Sequence, residues 1–231
     1  MNIIERGAVS GIRERTVIGF SNIDFGSFGS DEIVLHCGHS SGDDPVPIEL
    51  WIGNPDEGGI FVQTLEFEPN GRWDGFEPQV FKLSQRLKGI SSIALVVSAR
   101  IIVGGFEFVK HNKAYETLSA SDNDGVYGDD YNIVGSEITG IGNNVVINFT
   151  DMDFVNGTTR IVVCGKTPNA TNTIQLRYNE EDVQKTQLLE FTNSDEYTEI
   201  AFDLTEISGK KDISFVFLPG SNFDFKWFRF E

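Results

Sequence analysis

With 231 residues, 39% of them hydrophobic and 12% aromatic, the chain is long enough for one large or two ordinary domains and apolar enough to pack them. Its 35 acidic residues outnumber 18 basic ones for a formal charge of -17, and both halves share the excess: 9 basic against 15 acidic up to Lys110, then 9 against 20. No basic patch offsets the charge of nucleic acid, anionic lipid or polyanionic polysaccharide, so these are excluded as partners and neutral ligands or proteins are favoured.

The opening "MNIIERGAVSG" lacks the basic-then-apolar pattern of a secretion signal, which is compatible with a cytoplasmic chain. Apolar runs such as "SSIALVV" are far too short to cross a bilayer, so no membrane partner is expected. In chain order, "DEIVLHCG", "VPIELWIG", "GIFVQTLEF", "SIALVVS" and "GFEFV" alternate with period two between Gly, Asn, Asp and Pro, as strands do. The same signal returns in "NVVINF", "TRIVVCG", "NTIQLRYN", "TQLLEF", "TEIAFDL", "DISFVFL" and "FDFKWFRF", and no long helical period competes. The pattern predicts an all-β protein of antiparallel β-sandwiches, jelly-roll or immunoglobulin-like in connectivity.

The chain also matches itself. Asp24-Phe25 lies over Asp153-Phe154, Cys37-Gly38 over Cys164-Gly165, and Ile48 and Leu50 over Ile174 and Leu176. "VQTLEF" ending at Phe67 matches "KTQLLEF" ending at Phe191, and a further aromatic strand closes each copy at Phe108 and Phe230. Two tandem modules are expected, at 1–110 and 111–231. About forty residues precede the Asp-Phe landmark in the second copy and far fewer in the first, which reads as a missing opening strand and a chain cut from a longer one.

Two cysteines in equivalent strands read as small buried apolar residues, and with one per module no disulfide forms within a module. "LHCGH" groups His36, Cys37 and His39, but neighbouring strand residues point to opposite faces, which argues against a metal site. No Gly-x-Ser-x-Gly elbow, phosphate loop or His-Glu-x-x-His appears, and spacing alone singles out no pair of hydrolytic carboxylates.

The order and spacing of "GNNVVINFTDMDF", "RIVVCG", "IQLRYN", "SDEYTEIAF" and "SNFDFKWFRF" resemble family 6 carbohydrate-binding modules, as do "IDFGSFGSDEIVLHCG", "PIELWIG" and "NGRWDGFEPQVFKL" in the first copy. The tandem arrangement with "YGDDYNIVGSEITGIGNN" is similar to C-terminal regions of bacterial family 2 glycoside hydrolases of the β-galactosidase type. The resemblance implies two jelly-roll modules without catalysis of their own, beside an upstream catalytic domain and binding neutral carbohydrate. A degenerate structural or oligomerisation tail of such an enzyme is the alternative.

It also implies which residues to follow. Sugar recognition needs an aromatic face beside groups that exchange hydrogen bonds with hydroxyls. In the second copy the matching positions are Tyr197 and Asp224, with Asn222 a near neighbour; an aspartate thus stands where the family carries an amide. In the first copy Trp73 keeps the aromatic, but Ile102 falls at the polar position. The family's other stacking aromatic has no clear counterpart near Ile138, where Tyr127 and Tyr131 are the nearest candidates. Trp51, on the strand face opposite Leu50 and Ile52, is a further candidate platform. No cofactor is required; structural calcium is common in the family, and "SASDNDG" offers Asp122 and Asp124, although an Asx-rich turn explains that stretch equally.

The last strand crowds five aromatics into nine positions. Strict alternation puts Phe223, Phe225 and Trp227 on one face and Phe228 and Phe230 on the other, unless a bulge shifts the register. These rings are expected to be packing, with contact to ligand, if any, from the "PGSN" loop before them.

Overall fold

A computed structural model describes residues 2–3, 8–10, 12, 15–38, 44–69, 71 and 75–231. The chain divides into two compact units, Met1–His111 and Asn112–Glu231. Each is built of antiparallel strands, and the protein is an all-β sandwich.

The first unit contains β1 (Asn2–Ile3), β2 (Val9–Ser10), β3 (Thr16–Asp24), β4 (Ser30–Gly38), β5 (Val46–Ile52), β6 (Ile60–Phe67), β7 (Pro78–Leu87), β8 (Ile90–Val97) and β9 (Ile102–Phe108). They form two sheets, ordered β1-β2-β9-β4-β7 and β3-β8-β5-β6. Alternation supplies the core: Ile33, Leu35 and Cys37 of β4 and Ile48 and Leu50 of β5 are fully buried. Phe20 of β3 meets Phe106 of β9 edge to face at 4.6 Å, a ring contact between the two layers. Two strands escape the period-two reading. In β3, at a sheet edge, only Ile18 is fully buried and Asn22 adopts a positive φ of 58°; β7 is mostly polar on its exposed face. β3 carries the Asp24 landmark and so corresponds to 146–154 of the second unit; among the described residues β1 and β2 precede it, where four short strands, Leu118–Ser119, Gly125–Tyr127, Asn132–Val134 and Glu137–Ile141, precede 146–154.

The second unit contains β10 (Leu118–Ser119), β11 (Gly125–Tyr127), β12 (Asn132–Val134), β13 (Glu137–Ile141), β14 (Val146–Glu180), β15 (Val183–Phe217) and β16 (Phe223–Phe230). The two 35-residue runs each serve as three strands, because their mutual register breaks repeatedly. One sheet orders as 183–192, 171–180, 209–217, 146–154 and β11; the other as 198–207, 158–167, β16, β13 and β12. Phenylalanines interlock between the layers: Phe149 with Phe228 at 4.7 Å, Phe154 with Phe230 at 4.9 Å, Phe191 with Phe223 at 4.9 Å and Phe215 with Phe225 at 5.1 Å.

The last strand departs from alternation. Cys164 of β14 pairs with Trp227, but the next residue, Gly165, pairs with Phe225, so Lys226 is the extra residue of a bulge. The extra residue brings Phe223, Phe225, Phe228 and Phe230 to the same buried face. Asp224, Lys226, Trp227 and Arg229 are left half-buried on the other. The two-faced aromatic strand that strict alternation gives is thus corrected to a one-faced core strand with a polar outer surface. Gly165 makes this packing feasible: a Cβ there would lie 2.2 Å from Phe223 Cζ.

Candidate functional site

The bulge sets the outer surface. Asp224 follows the first buried ring of β16 and points outward, where its Oδ1 accepts from the Gly140 N–H at 2.7 Å and its Oδ2 lies 3.4 Å from Lys166 Nζ. Two positions later Lys226 Nζ lies 3.6 Å from Glu137 Oε1. Tyr197 reaches this row from β15: its hydroxyl donates to Glu137 Oε2 at 2.5 Å. Its ring lies 5.0 Å from Lys166 Nζ and 4.9 Å from Lys226 Nζ. Burial pushes the Tyr197 phenol well above its ordinary value, and the bond to Glu137, with the nearby carboxylates, adds to the rise. Two ammonium groups and two carboxylates thus surround one half-buried ring.

Beside Tyr197 the loops open into a cleft of about 190 Å³, walled by Lys166, Thr167, Ser194, Asp195, Asn222 and Asp224. Its frame is held by side chain to backbone bonds. The Thr167 hydroxyl donates to Asn222 O at 2.6 Å, the Asn193 amide donates to Thr167 O at 3.1 Å, and the Asn222 N–H donates to Asn172 Oδ1 at 3.0 Å. Asn222 is exposed, with its backbone fixed at both ends of the peptide. The cleft therefore offers an amide, two carboxylates, an ammonium and hydroxyls, the groups that exchange hydrogen bonds with a polyol.

Of the residues nominated from sequence, Asp224 and Asn222 line this cleft, while Tyr197 is not in its lining and packs against Lys166, Lys226 and Glu137. Trp73 lies outside the described residues. Trp51 is in the first unit, half-buried, its indole N–H donating to Glu49 Oε2 at 2.8 Å and its ring edge to face with Phe61 at 5.4 Å. Near it a separate open groove of about 380 Å³ runs over Gly19, Phe20, Asn54 and Ala94. Tyr127 is 67% exposed on β11, and Ile102 is half-buried on β9. Asp122 and Asp124 are committed within the fold: Asp122 accepts from the Ser119 N–H, and Asp124 Oδ2 accepts from Lys113 Nζ at 2.7 Å and from the Thr150 N–H at 2.6 Å. Among the described residues no group of three or more His, Cys, Asp or Glu could hold a metal ion. His36 Nε2 lies 3.3 Å from Glu107 Oε1 while Cys37 is buried on the opposite face; His39 is outside the described residues. Cys37 and Cys164 are buried and form no disulfide, and burial pushes the Cys37 thiol up to about 12.

Sequence reasoning missed Glu137, Lys166 and Lys226 as neighbours of Tyr197. Glu137 is sixty residues from Tyr197 in sequence, and only the order of the sheet joins them. Lys226 could have been found from the bulge, had the buried face of β16 been assigned to the four phenylalanines first.

Residues 116–231 match the family model for carbohydrate binding module family 6. The chain belongs to that family. The matched module is a non-catalytic carbohydrate-binding domain, and it coincides with the unit that holds the Tyr197 cleft. Over 237 residues the chain is 28% identical to an endo-1,4-beta-xylanase A of Thermoclostridium stercorarium, a match taking in 95% of this chain and 44% of that protein. A second protein of that name and organism is 27% identical over 232 residues, taking in 93% and 34%. The chain thus spans less than half the length of these relatives. Among solved structures, CsCBM6-3 from Clostridium stercorarium in complex with cellobiose is 28% identical, over 51% of this chain and 94% of that one, with a TM-score of 0.44. A β-1,3-glucan binding family 6 module from Bacillus halodurans is 19% identical over 51% and 96%, with a TM-score of 0.42.

Proposed function

We propose that the second unit binds neutral glycan in the cleft beside Tyr197. Asn222 and Asp224 exchange hydrogen bonds with sugar hydroxyls there, and the Tyr197 ring flanks the apolar face of the sugar. The observation that carries this reading is the loop-end cleft that Asn222 and Asp224 line inside the segment matched to the family, with the Tyr197 ring 5.0 Å from the ammonium of Lys166 in its wall. Net charge supports a neutral ligand: Lys166 and Lys226 are already offset by Asp224 and Glu137, and Asp195 leaves the neighbourhood with an excess negative charge.

The same reading takes the chain as the non-catalytic part of a longer glycan-degrading enzyme. Its curated relatives, of which it spans less than half, support a xylan-acting parent. The β-galactosidase type of family 2 parent, to which the tandem arrangement is similar, gains no support from them. The first unit, with the same landmarks at Asp24, Cys37 and Phe108, is read as a second module in which Trp51, and Trp73 at the family's aromatic position, are the aromatic candidates.

A structural tail is the second reading, favoured by one observation: the ring of Tyr197 already has two ammonium groups about it. Calorimetric titration with neutral xylo-, cello- and galacto-oligosaccharides separates the two. Saturable binding that Tyr197→Ala and Asn222→Ala each abolish supports the module; silence across the panel leaves the tail.

A further inference from the structure

Between its legs 146–154 and 158–167 the chain turns through Val155, Asn156 and Gly157, and its register with β15 breaks from Phe154 to Thr158. Asn156 is exposed there, and Gly157 has a φ of 70°, a left-handed conformation that favours glycine. The pair is one of two Asn-Gly steps in the sequence; the other begins at Asn70, outside the described residues.

An asparagine before a glycine carries an electrophile beside a nucleophile. The backbone nitrogen of the following residue can close a five-membered ring on the side-chain carbonyl carbon, and a glycine has no Cβ to obstruct the approach. Asparagine is for this reason among the thermolabile residue types.

Two neighbours act on this step. The Tyr115 hydroxyl accepts from the Asn156 N–H at 3.1 Å and donates to Gly157 O at 3.1 Å, so one phenol fixes the chain on both sides of the peptide bond that joins the pair. The nitrogen of that bond is the nucleophile. Glu206 comes from the facing leg, 198–207, with its carboxylate against Gly157: a Cβ at that glycine would stand 2.6 Å from Oε1. The Glu206 carboxylate is exposed and has no hydrogen bond or ion pair among the described residues, so it can take a proton. A carboxylate within reach, directly or through one water, serves as a general base. The sugar cleft is not involved, because its Lys166 and Thr167 lie at the other end of the 158–167 leg.

We propose that Asn156 is a self-modification site: with Glu206 as the base, the chain converts this asparagine to an aspartyl or isoaspartyl residue. The Gly157 nitrogen forms a bond to Asn156 Cγ and gives its proton to the Glu206 carboxylate. The Cγ–Nδ2 bond breaks, and the amide leaves as ammonia with the proton that Glu206 held, leaving a cyclic imide. Water then cleaves one of the two imide C–N bonds. One cleavage restores the normal main chain with a carboxylate at position 156; the other sends the main chain through Cβ. Either product adds a negative charge beside Glu206. The second also lengthens the main chain two residues before Thr158, whose hydroxyl donates to Glu231 O at 2.7 Å.

The test follows the full chain through prolonged incubation at mildly alkaline pH, for the parent, Glu206→Gln and Asn156→Gln, each with and without urea. Peptide mapping by mass spectrometry reads loss of the amide at Asn156 separately from Asn70, and a protein isoaspartyl methyltransferase labels the isoaspartyl product. Expected is conversion at Asn156 in the folded parent, slowed about tenfold or more in Glu206→Gln, with the two rates equal in urea, where the base is no longer held beside the pair. Asn156→Gln should remove the signal at this position. Should Glu206→Gln melt much earlier than the parent, Glu206→Asp, which withdraws the carboxylate by one methylene, takes its place. An amide that stays intact at Asn156 in the folded parent overturns the proposal, whether or not urea exposes it. Equal rates in the folded parent and in Glu206→Gln overturn the assisted step, and with it the role of Glu206.

Discussion

The Tyr197 hydroxyl donates to Glu137 Oε2 at 2.5 Å across a sheet in which a leg of β14 and all of β16 lie between them. This bond ties the far strands of the outer surface together over the Lys166 and Lys226 side chains.

Removing it has a measurable pH signature. The phenol is held above its ordinary value, so the folded state prefers the neutral form. The unfolded chain loses that proton near the usual value of about 10, and stability therefore falls as pH rises beyond about 10 and is untouched below it. Tyr197→Phe is expected to cost about 1 kcal/mol near neutrality and to flatten the alkaline decline relative to the parent. Urea unfolding of both proteins from about pH 8 to about pH 11 checks this; parallel alkaline limbs would refute it.

Lys226 lies 4.9 Å from the centroid of the ring that a sugar would need. Lys226→Ala removes a competitor worth about 0.5–1 kcal/mol, so neutral oligosaccharide binding is expected to tighten about two- to fivefold with little change in melting temperature. Weaker binding in the same titration would instead make the ammonium a sugar ligand.

Gly165 is required by packing beneath the site. An alanine Cβ would stand 2.2 Å from Phe223 Cζ and 2.8 Å from Asp224 O, and the second of these is backbone that cannot rotate away. Gly165→Ala should destabilise the second unit by about 1–3 kcal/mol, displacing Asp224 with β16 and weakening sugar binding with it. Thermal melting followed by tryptophan fluorescence would show the loss; a parental melting curve would mean that β16 yields freely.

These residues mark where the sequence was readable and where it was not. The strands were legible because their residue types alternate, with Ile33, Leu35 and Cys37 of β4 fully buried and His36 not, although Val34 between them is also buried. The buried cysteines were legible for the same reason. Lys226 broke the reading of β16: one inserted residue changes the face of everything after it, and period-two reasoning carries no signal for an insertion. The division of β14 and β15 into three legs each was visible as separate strand runs, but their assignment to two sheets depends on long-range pairing. Tyr197, Asn222 and Asp224 were nominated through family resemblance, and of these Asn222 and Asp224 line the cleft.

Near the start of the second unit Lys113 is 8% exposed and its ammonium lies 2.7 Å from Asp124 Oδ2. Lys113→Met removes the cation from Asp124 and is expected to cost about 1–3 kcal/mol. The double variant Lys113→Met, Asp124→Asn keeps an acceptor for the Thr150 N–H and removes the stranded charge, so it should recover part of that loss. Additive effects in a chemical unfolding series would show that the pair is uncoupled.

In the first unit Asp31 stands between two cations, with Lys82 Nζ at 2.8 Å and Arg86 Nη2 at 3.0 Å. The bond from Lys82, opposed by burial and aided by Arg86, holds the carboxyl at about 2, against an ordinary value of 3.8. A depressed carboxyl stabilises the fold above the unfolded value and ceases to do so once both states are protonated, so the contribution should be complete near neutrality and vanish between about pH 4 and about pH 2. Asp31→Asn is accordingly expected to be less stable than the parent by about 1–3 kcal/mol near neutrality, with the two converging at about pH 2. Denaturant melts followed by a probe confined to the first unit, such as fluorescence of Trp51 with the other tryptophans replaced, would measure the gap. A gap that is constant with pH would mean that Asp31 acts through packing rather than through its charge.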